Sequence, residues 1–305
     1  MYRALFIVKT WGRNLISVRA ATAVLSSFGA LWLFVEITTF FFEETRFPQL
    51  LREQWWLFAL LGVAAAIIRC YPKTTVTQKL NGRDVTVEIS IGDVFSFDGA
   101  LIIGSNTTFD TRLSPTLIAE SSVQGTFTKR HFADEAKLDI EIAAGLDANQ
   151  AHHLEGKRQG KSERYPTGTV VRLNPKGRTA YFVAIADINE HGVAGSSFEG
   201  LQMSLAELWV FVGSRGLKDR LVMPVLGTGF SRLPQTREQV VREIVKSFVA
   251  ACSERVFVDR LTIVLSPKDV AEHKISLDEL GEYLKHVCFY TEFSSEAHVK
   301  LGSPA

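Results

Sequence analysis

The chain is poor in the residues that build disulfide frameworks and metal sites. Its three cysteines, Cys70, Cys252 and Cys288, lie far apart and form no CxxC pair. This spacing argues against a disulfide framework or a cysteine zinc site, and it fits a reducing compartment. The seven histidines are scattered, and the one cluster, His152-His153, has no HExxH beside it. We interpret that cluster as a solvated loop pair, with a metal site as the alternative, and we expect no metal and no cofactor.

An excess of charge is also missing. The formal net charge is +1 over 305 residues, whereas proteins that bind nucleic acid generally are strongly basic, so no nucleic-acid partner is expected. No internal repeat and no long low-complexity segment is evident. What the chain does contain is apolar sequence, since 46% of its residues are hydrophobic. That is enough for a globular core in one or two domains.

Two apolar runs stand in the N-terminal fifth of the chain. Ala20–Phe42 holds 23 residues with a single ionisable group, Glu36, and a spanning helix needs about 20 residues. The second run, Trp55–Ile68, has no charge and begins with Trp55 and Trp56, which resemble anchors at a membrane interface. The pattern predicts a transmembrane hairpin over residues 20–73, with spans of about 20–42 and 55–71. For the second run, a buried or interfacial helix is the alternative.

Basic residues flank both outer ends of the predicted hairpin. They are Arg3, Lys9, Arg13 and Arg19 before it, and Arg69, Lys73 and Lys79 from the end of its second run onward. Because basic residues concentrate on the cytoplasmic side of spanning helices, segment 1–19 and the chain after the hairpin are predicted to be cytoplasmic.

Glu36 lies within the first predicted span. A carboxylate near the centre of a span costs about 2.5–3.5 kcal/mol on insertion scales, so it usually faces a partner or water. One interpretation is a contact between subunits or a polar pore lining. The other is a carboxyl group that stays protonated in lipid or is displaced toward the interface.

From residue 74 onward, strand-like and helix-like segments alternate. This pattern predicts an α/β domain with a mixed, mainly parallel sheet over residues 80–290, followed by a frayed tail at 291–305. Gly156–Pro166 is interpreted as a solvated basic loop, and a helix is predicted to begin at Ser114-Pro115. Strands are predicted at Val85–Ile89, Leu101–Ile103, Thr169–Leu173, Tyr181–Ala186 and Leu261–Leu265, the third and fourth of them central; further helices are predicted at Ala133–Leu146, at Leu201–Val212 and after Ser276.

The stretch Leu221–Pro234, LVMPVLGTGFSRLP, organises this domain. An apolar strand is followed by the turn Gly227-Thr228-Gly229, and Thr236 with Gln239 then forms a capping box that opens a helix. Backbone N–H groups in such a turn form a cradle suited to phosphate. A tight connection with no ligand is the alternative. Since ligands of α/β sheets bind at the carboxyl ends of strands, the turns Gly92-Asp93-Val94 and Gly104-Ser105-Asn106 are expected at the same site.

Four segments resemble, in order, the motifs of the macro domain, a three-layer α/β/α module that binds ADP-ribose. Gly92–Phe95 is similar to the family's GDI, and Ala100–Asn106 (ALIIGSN) is similar to its DAIVNAAN. Pro166–Gly168 is similar to its PTG, and Pro224–Phe230 (PVLGTGF) is similar to its phosphate loop, P-x-x-S-T-G-aromatic. The resemblance covers about residues 85–270.

The resemblance implies a role for each matching residue. Asp93 would accept a hydrogen bond from the adenine amino group beside the Val94 backbone, and Asn106 would face the distal ribose. The diphosphate would be held by N–H groups around Gly227, Thr228, Gly229 and Phe230, and the Phe230 ring would line the distal-ribose pocket. The alternatives are an Asx-turn at Asp93, a turn role for Asn106 and ordinary core packing for Phe230.

One departure from the family pattern bears on activity. Hydrolytic macro domains carry a GGGV loop after the asparagine, whereas Thr107–Gly125 has a single glycine, at its end. Ser122, Gln124 and Gly125 are candidates to touch a different distal group. The departure favours binding without turnover, so the chain is expected not to be an enzyme.

A macro domain behind a membrane hairpin also resembles the membrane-anchored effectors of Thoeris anti-phage defence. That resemblance implies a multi-pass protein of a bacterial inner membrane and a TIR-domain partner that consumes NAD. The partner would make an ADP-ribose derivative, histidine–ADP-ribose. The effector would bind it, form a homo-oligomer and disrupt the lipid bilayer. Two alternatives stay open: a membrane-tethered ADP-ribosyl hydrolase, which would use Asn106 or Asp110, and a passive tether for ADP-ribosylated partners.

Overall fold

The structure is a computed structural model that describes residues 11–12, 18–41, 54–132, 134–147, 150–157, 159–188, 194–216, 220–227 and 233–290. The chain divides into two compact units, Met1–Thr74 and Thr75–Ala305. The division falls between the predicted hairpin and the predicted α/β domain. Most of segment 1–19 and the whole predicted tail, 291–305, lie outside the described residues.

The described part of the first unit contains the helices α1 (Val18–Phe41) and α2 (Trp55–Arg69). They contact each other, since a Cβ placed on Gly62 would lie 3.5 Å from the Phe28 ring. Within the described residues, one segment, Val24–Phe41, is long and apolar enough to cross a membrane, and the apolar part of α2 is shorter. The spanning role of α1 is therefore supported by length and composition, while the second span stays a prediction.

Apolar side chains cover the outer surface of these two helices. In α1, the hydroxyl groups of Thr38 and Thr39 donate hydrogen bonds to backbone carbonyls one turn earlier. Glu36 and Trp56 are exposed, and the side chain of Trp55 lies outside what the structure describes. An exposed apolar surface of this size indicates contact with something other than water. Its largest members are Leu25, Trp32, Leu33, Phe40, Phe41, Leu60 and Ile68.

The second unit is built on one mixed sheet, as predicted. Its strands are β1 (Thr75–Lys79), β2 (Thr86–Ile91), β3 (Ala100–Asn106), β6 (Val170–Leu173), β7 (Ala180–Ile188), β8 (Ala194–Gly195), β9 (Leu221–Pro224) and β10 (Arg260–Leu265). They lie in the order β1-β2-β10-β9-β3-β7-β6, with β8 paired to β7. The five strands from β2 to β7 in this order run parallel, and the pairs that involve β1, β6 and β8 are antiparallel. Two further strands, β4 (His152–His153) and β5 (Glu163–Arg164), form a separate antiparallel pair.

Helices cover both faces of the sheet. They are α3 (Val123–His131), α4 (Glu135–Gly145), α5 (Phe198–Arg215), α6 (Arg237–Glu254), α7 (Pro267–His273) and α8 (Leu277–Tyr290). On one face, side chains from α3 and α4 join alternate residues of the strands in a single core. On the other face, Phe211 of α5 meets Tyr181 of β7, and α6 packs beside α5 through Phe248 and Trp209, whose rings are 5.3 Å apart.

Two predictions about these elements are wrong. No helix begins at Ser114, because the chain turns back after it and Ile118 forms a bridge with Leu113; the helix begins instead at Val123, capped by Ser122. The strand predicted at Thr169–Leu173 is β6 (Val170–Leu173), which is an edge strand rather than a central one. Its apolar residues are buried by the helices on both faces, so an apolar run did not distinguish an edge strand from a central strand.

The two cysteines of the second unit are buried thiols. Burial raises the pKa of the Cys252 thiol to about 12 and the pKa of the Cys288 thiol to about 11. Both groups therefore stay protonated at neutral pH, and a protonated thiol is a poor nucleophile and a poor metal ligand.

Candidate ligand-binding site

A crevice is expected where β3 and β9 diverge. These strands pair only at Ala100–Leu221 and Leu101–Val222, whereas β3 stays paired with β7 as far as Asn106. The connection from β3 leads to α3 on one face of the sheet, and the connection from β9 leads to α6 on the other. Neighbouring parallel strands whose connections leave toward opposite faces form the usual binding crevice of an α/β sheet.

The three segments predicted as turns lie at this carboxyl edge of the sheet, but Gly104-Ser105-Asn106 is the last part of β3 and not a turn. Gly92 follows β2, Asn106 ends β3 and Gly227 follows β9. Gly227 has φ of +71°, and a Cβ there would overlap the Leu233 side chain, so this position requires glycine. The Leu233 N–H donates to the Gly227 carbonyl at 3.2 Å and closes the base of the loop. Thr228, Gly229 and Phe230 lie outside the described residues, so their roles stay predictions.

The helix after this loop begins as predicted. Thr236 Oγ1 accepts a hydrogen bond from the Gln239 N–H at 3.2 Å, and Gln239 Oε1 accepts one from the Thr236 N–H at 2.9 Å. This reciprocal capping box fixes the first turn of α6 directly after the glycine loop.

Asp93 has two partners in the structure. Its Oδ1 accepts a hydrogen bond from the Phe95 N–H at 3.1 Å, which forms the Asx-turn that the sequence analysis gave as the alternative. Its Oδ2 accepts a hydrogen bond from Arg130 Nη2 at 3.2 Å. The carboxylate side chain is still 54% exposed, so it has room to accept a further donor. Val94 is buried beside it. No local spacing in the sequence connects Asp93 with Arg130, and the sequence interpretation missed that residue.

Arg130 belongs to a basic group around the segment that follows Asp93. Its guanidinium lies 4.4 Å from the centroid of the Phe95 ring. Arg178 donates to the backbone carbonyls of Phe95, Phe97 and Gly99 and thereby holds this segment across the sheet. Burial, and then the charges of Arg178, Lys176 and Arg130, lower the pKa of His131. These effects favour the neutral form of the imidazole.

Asn106 is held inside a buried polar network. Its Nδ2 donates to Asp110 Oδ2 at 3.0 Å, and its Oδ1 accepts the Asp110 N–H at 3.0 Å and the Thr108 hydroxyl at 3.2 Å. Phe109, which is buried and lies between Thr108 and Asp110 in the chain, has φ of +48°, a strained conformation for an aromatic residue. The Asn106 side chain is thus engaged by its own loop in this structure.

Lys157 completes that network, so the interpretation of Gly156–Pro166 as a solvated basic loop is wrong at this residue. The ammonium group of Lys157 lies 2.7 Å from both Asp110 Oδ2 and Thr108 Oγ1. The side chains of Lys157 and Asp110 are 0% and 1% exposed. The Lys161 N–H donates to Asp110 Oδ1 at 2.7 Å, so both oxygens of the carboxylate are occupied. Sequence spacing gives no sign of a pair that lies 47 residues apart.

The three candidates for a distal contact have structural roles at the start of α3. Ser122 Oγ accepts the Gly125 N–H at 3.0 Å as the N-cap, and Gln124 Nε2 donates to the Asp110 carbonyl at 2.7 Å. A Cβ on Gly125 would overlap the Ala119 carbonyl. These residues fix the Thr107–Gly125 connection, and their contact with a ligand stays a prediction.

In the described part of the chain, no group of three or more His, Cys, Asp and Glu side chains is placed to hold a metal ion. His152 and His153 are exposed on β4. Two cavities, of about 440 and 500 Å³, lie at the β1–β2 hairpin and beside the junction of α3 and α4. Neither lies at the carboxyl edge of the sheet.

Comparisons with known proteins give one matching family and several similar proteins. The family described as "Thoeris protein ThsA, Macro domain" matches residues 87–266. The curated Thoeris protein ThsA of Bacillus amyloliquefaciens (strain Y2) is 25% identical over 186 residues, a match that covers 58% of this chain and 61% of that protein, less than two thirds of its length. Among solved structures, an Oceanobacillus iheyensis macrodomain with ADP is 16% identical, with a TM-score of 0.48, and covers 69% of this chain and 99% of its own. A Trypanosoma brucei macrodomain in complex with ADP-ribose is 14% identical, with a TM-score of 0.43, and covers 68% and 74%.

Proposed function

The chain belongs to the Thoeris ThsA macro-domain family, and from that premise we propose that it is a sensor in anti-phage defence that binds an ADP-ribose-derived messenger. The messenger would lie along the carboxyl edge of the sheet, from Asp93 to the crevice between β3 and β9. The observation that carries the proposal is the convergence of the Asp93 turn, the end of β3 and the Gly227 loop on this edge. We further propose that the messenger is histidine–ADP-ribose, made by a TIR-domain partner from NAD.

Binding without hydrolysis is supported by the buried network. A general base must reach a water molecule near the anomeric carbon, whereas both carboxylate oxygens of Asp110 accept hydrogen bonds from the protein. Asn106 is bonded to the same carboxylate. The alternative function, a hydrolase, needs this network to open before either side chain can act.

We propose that the N-terminal unit transmits binding to the bilayer of the bacterial inner membrane. The apolar surface of α1 favours insertion, and the exposed Glu36 on it would face a second copy of the chain. A messenger can drive assembly only if it binds the assembled state more tightly than the resting state, and a shift from 1:99 to 99:1 needs about 10⁴-fold tighter binding.

Ligand-dependent assembly is the first consequence to test. With histidine–ADP-ribose added to the protein in lipid nanodiscs or detergent, we expect the mass measured by light scattering to rise from that of a resting species to that of a larger homo-oligomer. AMP serves as the control, because it carries adenine without the distal ribose. A mass that is unchanged at saturating histidine–ADP-ribose would rule out messenger-driven assembly.

Replacing Asp93 tests whether the adenine of the ligand binds at this turn. We expect Asp93→Ala to weaken binding of ADP-ribose and of histidine–ADP-ribose by about 10-fold or more, because a hydrogen bond to a charged group contributes about 1.5–3 kcal/mol. Isothermal titration measures both constants. The control is Asp98→Ala, which removes an exposed carboxylate five residues away and should leave both constants unchanged.

The same titration separates the alternatives. Tighter binding of histidine–ADP-ribose than of ADP-ribose supports the messenger sensor, whereas equal binding favours a passive tether. Release of ADP-ribose from a modified protein would establish the hydrolase. An Asp93→Ala variant that binds as well as the wild type would show that the adenine does not bind at this turn.

A further inference from the structure

We infer that Ser105 is a ligand-contacting residue of the crevice, donating its hydroxyl hydrogen bond to an oxygen of the ligand's ribose–diphosphate part. The inference rests on the proposed function and adds to it a residue outside the predicted contact set. Ser105 is the next-to-last residue of β3 and is 4% exposed.

The first observation is an unmet hydrogen bond. In the described part of the chain, three buried side-chain polar atoms have no partner: Ser105 Oγ, Gln235 Oε1 and Arg237 Nε. All three lie at the carboxyl edge of the sheet, at the end of β3 and at the start of α6. Buried polar atoms are almost always bonded, and leaving one unbonded costs about 1–3 kcal/mol. Unbonded buried atoms at the same edge of the sheet point to a polar ligand.

The second observation is the position of Ser105 along its strand. Side chains alternate between the faces of a sheet, so Ser105 shares a face with Leu101 and Ile103, which join Val94 in one core cluster. The last pairing of β3 with β9 is at Leu101, four residues earlier. The hydroxyl therefore lies beside the opening between these strands, on the face that carries the turn after Asp93.

The neighbours of Ser105 do not use its hydroxyl. The Asn106 side chain is turned into the Asp110 network, and a side chain at Gly104 would meet Ile185. The register between β3 and β7 shifts between Ser105 and Asn106, and such an irregularity re-aims a side chain at the end of a strand. At this end of β3, the hydroxyl group of Ser105 has no hydrogen-bond partner in the described structure.

The test compares two buried serines in the full-length protein. Ser105→Ala should weaken ADP-ribose binding about 3- to 10-fold, the range expected for a neutral hydrogen bond. It should leave the melting temperature of the free protein unchanged or raise it, because it removes an unbonded polar atom. The matched control is Ser90→Ala. Ser90 is 1% exposed and shares a 2.8 Å hydrogen bond with Thr75, so its loss should lower the melting temperature and leave affinity unchanged.

Each outcome decides between the proposals. Unchanged ADP-ribose affinity in Ser105→Ala, with a wild type that binds, would overturn the inference and leave the proposed function standing. A melting temperature that falls as far as in Ser90→Ala would show that the hydroxyl has a structural partner, and it would also overturn the inference. A wild type that does not bind ADP-ribose or histidine–ADP-ribose would overturn the proposed function, and the inference with it.

Discussion

Replacing Lys157 by methionine is expected to lower the free energy of unfolding of the α/β domain by about 3–5 kcal/mol. The substitution keeps the length of the side chain but leaves the Asp110 carboxylate buried without its cation. Asp110 Oδ2 would retain Asn106 and Thr108 as neutral donors, and these do not compensate a full charge in a site from which water is excluded. Urea unfolding followed by near-ultraviolet circular dichroism measures the change.

The matched control lies in the same loop. Lys161 pairs with Asp139, and both side chains are partly exposed, so Lys161→Met should cost no more than about 1 kcal/mol. Its backbone bond to Asp110 is unaffected by the substitution. If the two variants lost equal stability, the burial of the Lys157–Asp110 pair would not be what holds this loop. A Lys157→Met variant that gained hydrolysis would show that the network restrains Asn106.

Gly229→Glu is expected to reduce ADP-ribose binding by about 100-fold or more. The substitution places bulk and a negative charge in the loop predicted to hold the diphosphate, and juxtaposed like charges cost several kcal/mol. Titration with ADP-ribose and with histidine–ADP-ribose should show the same loss for both ligands, because they share the diphosphate. Ligand-driven assembly should disappear in parallel.

Gly82→Glu is the control for Gly229→Glu, because it introduces the same negative charge at another glycine turn. Gly82 has φ of +71° in the β1–β2 hairpin at the opposite edge of the sheet, with open space where a Cβ would lie. A side chain in this conformation costs about 1–2 kcal/mol, but the diphosphate site is distant. Retained binding in Gly229→Glu would mean that the glycine loop does not hold the phosphates. Lost binding in both variants would indicate a global effect.

Most elements of the α/β domain were predictable because their signals are local. The capping box at Thr236 and Gln239 depends on residues three apart, and both of its hydrogen bonds are present. The helix over Glu135–Gly145 follows from the spacing of Leu138 and Ile142, both buried. An ambiguous local pattern led to a wrong prediction at one position. Ser114-Pro115 has the composition of a helix start but begins a turn.

The parts of the site that were missed depend on distant residues. Arg130 meets Asp93 across 37 residues, and Lys157 meets Asp110 across 47. No spacing rule connects such pairs, because each is set by the way two connections cross the same edge of the sheet. Ser105 is similar, since a serine in a strand gives no sign of whether its hydroxyl will find a partner.

By itself, the sequence determined the apolar N-terminal helix, the alternation of strands and helices and the family to which the chain belongs, because these follow from composition, periodicity and short motifs. Tertiary structure alone decided that β3 and β9 diverge at the carboxyl edge and that Asn106 is held by a buried ion pair. It also decided that Ser105 has no partner in the described part of the chain. Burial and partnership are properties of the whole packed domain, so they emerge only when distant segments meet.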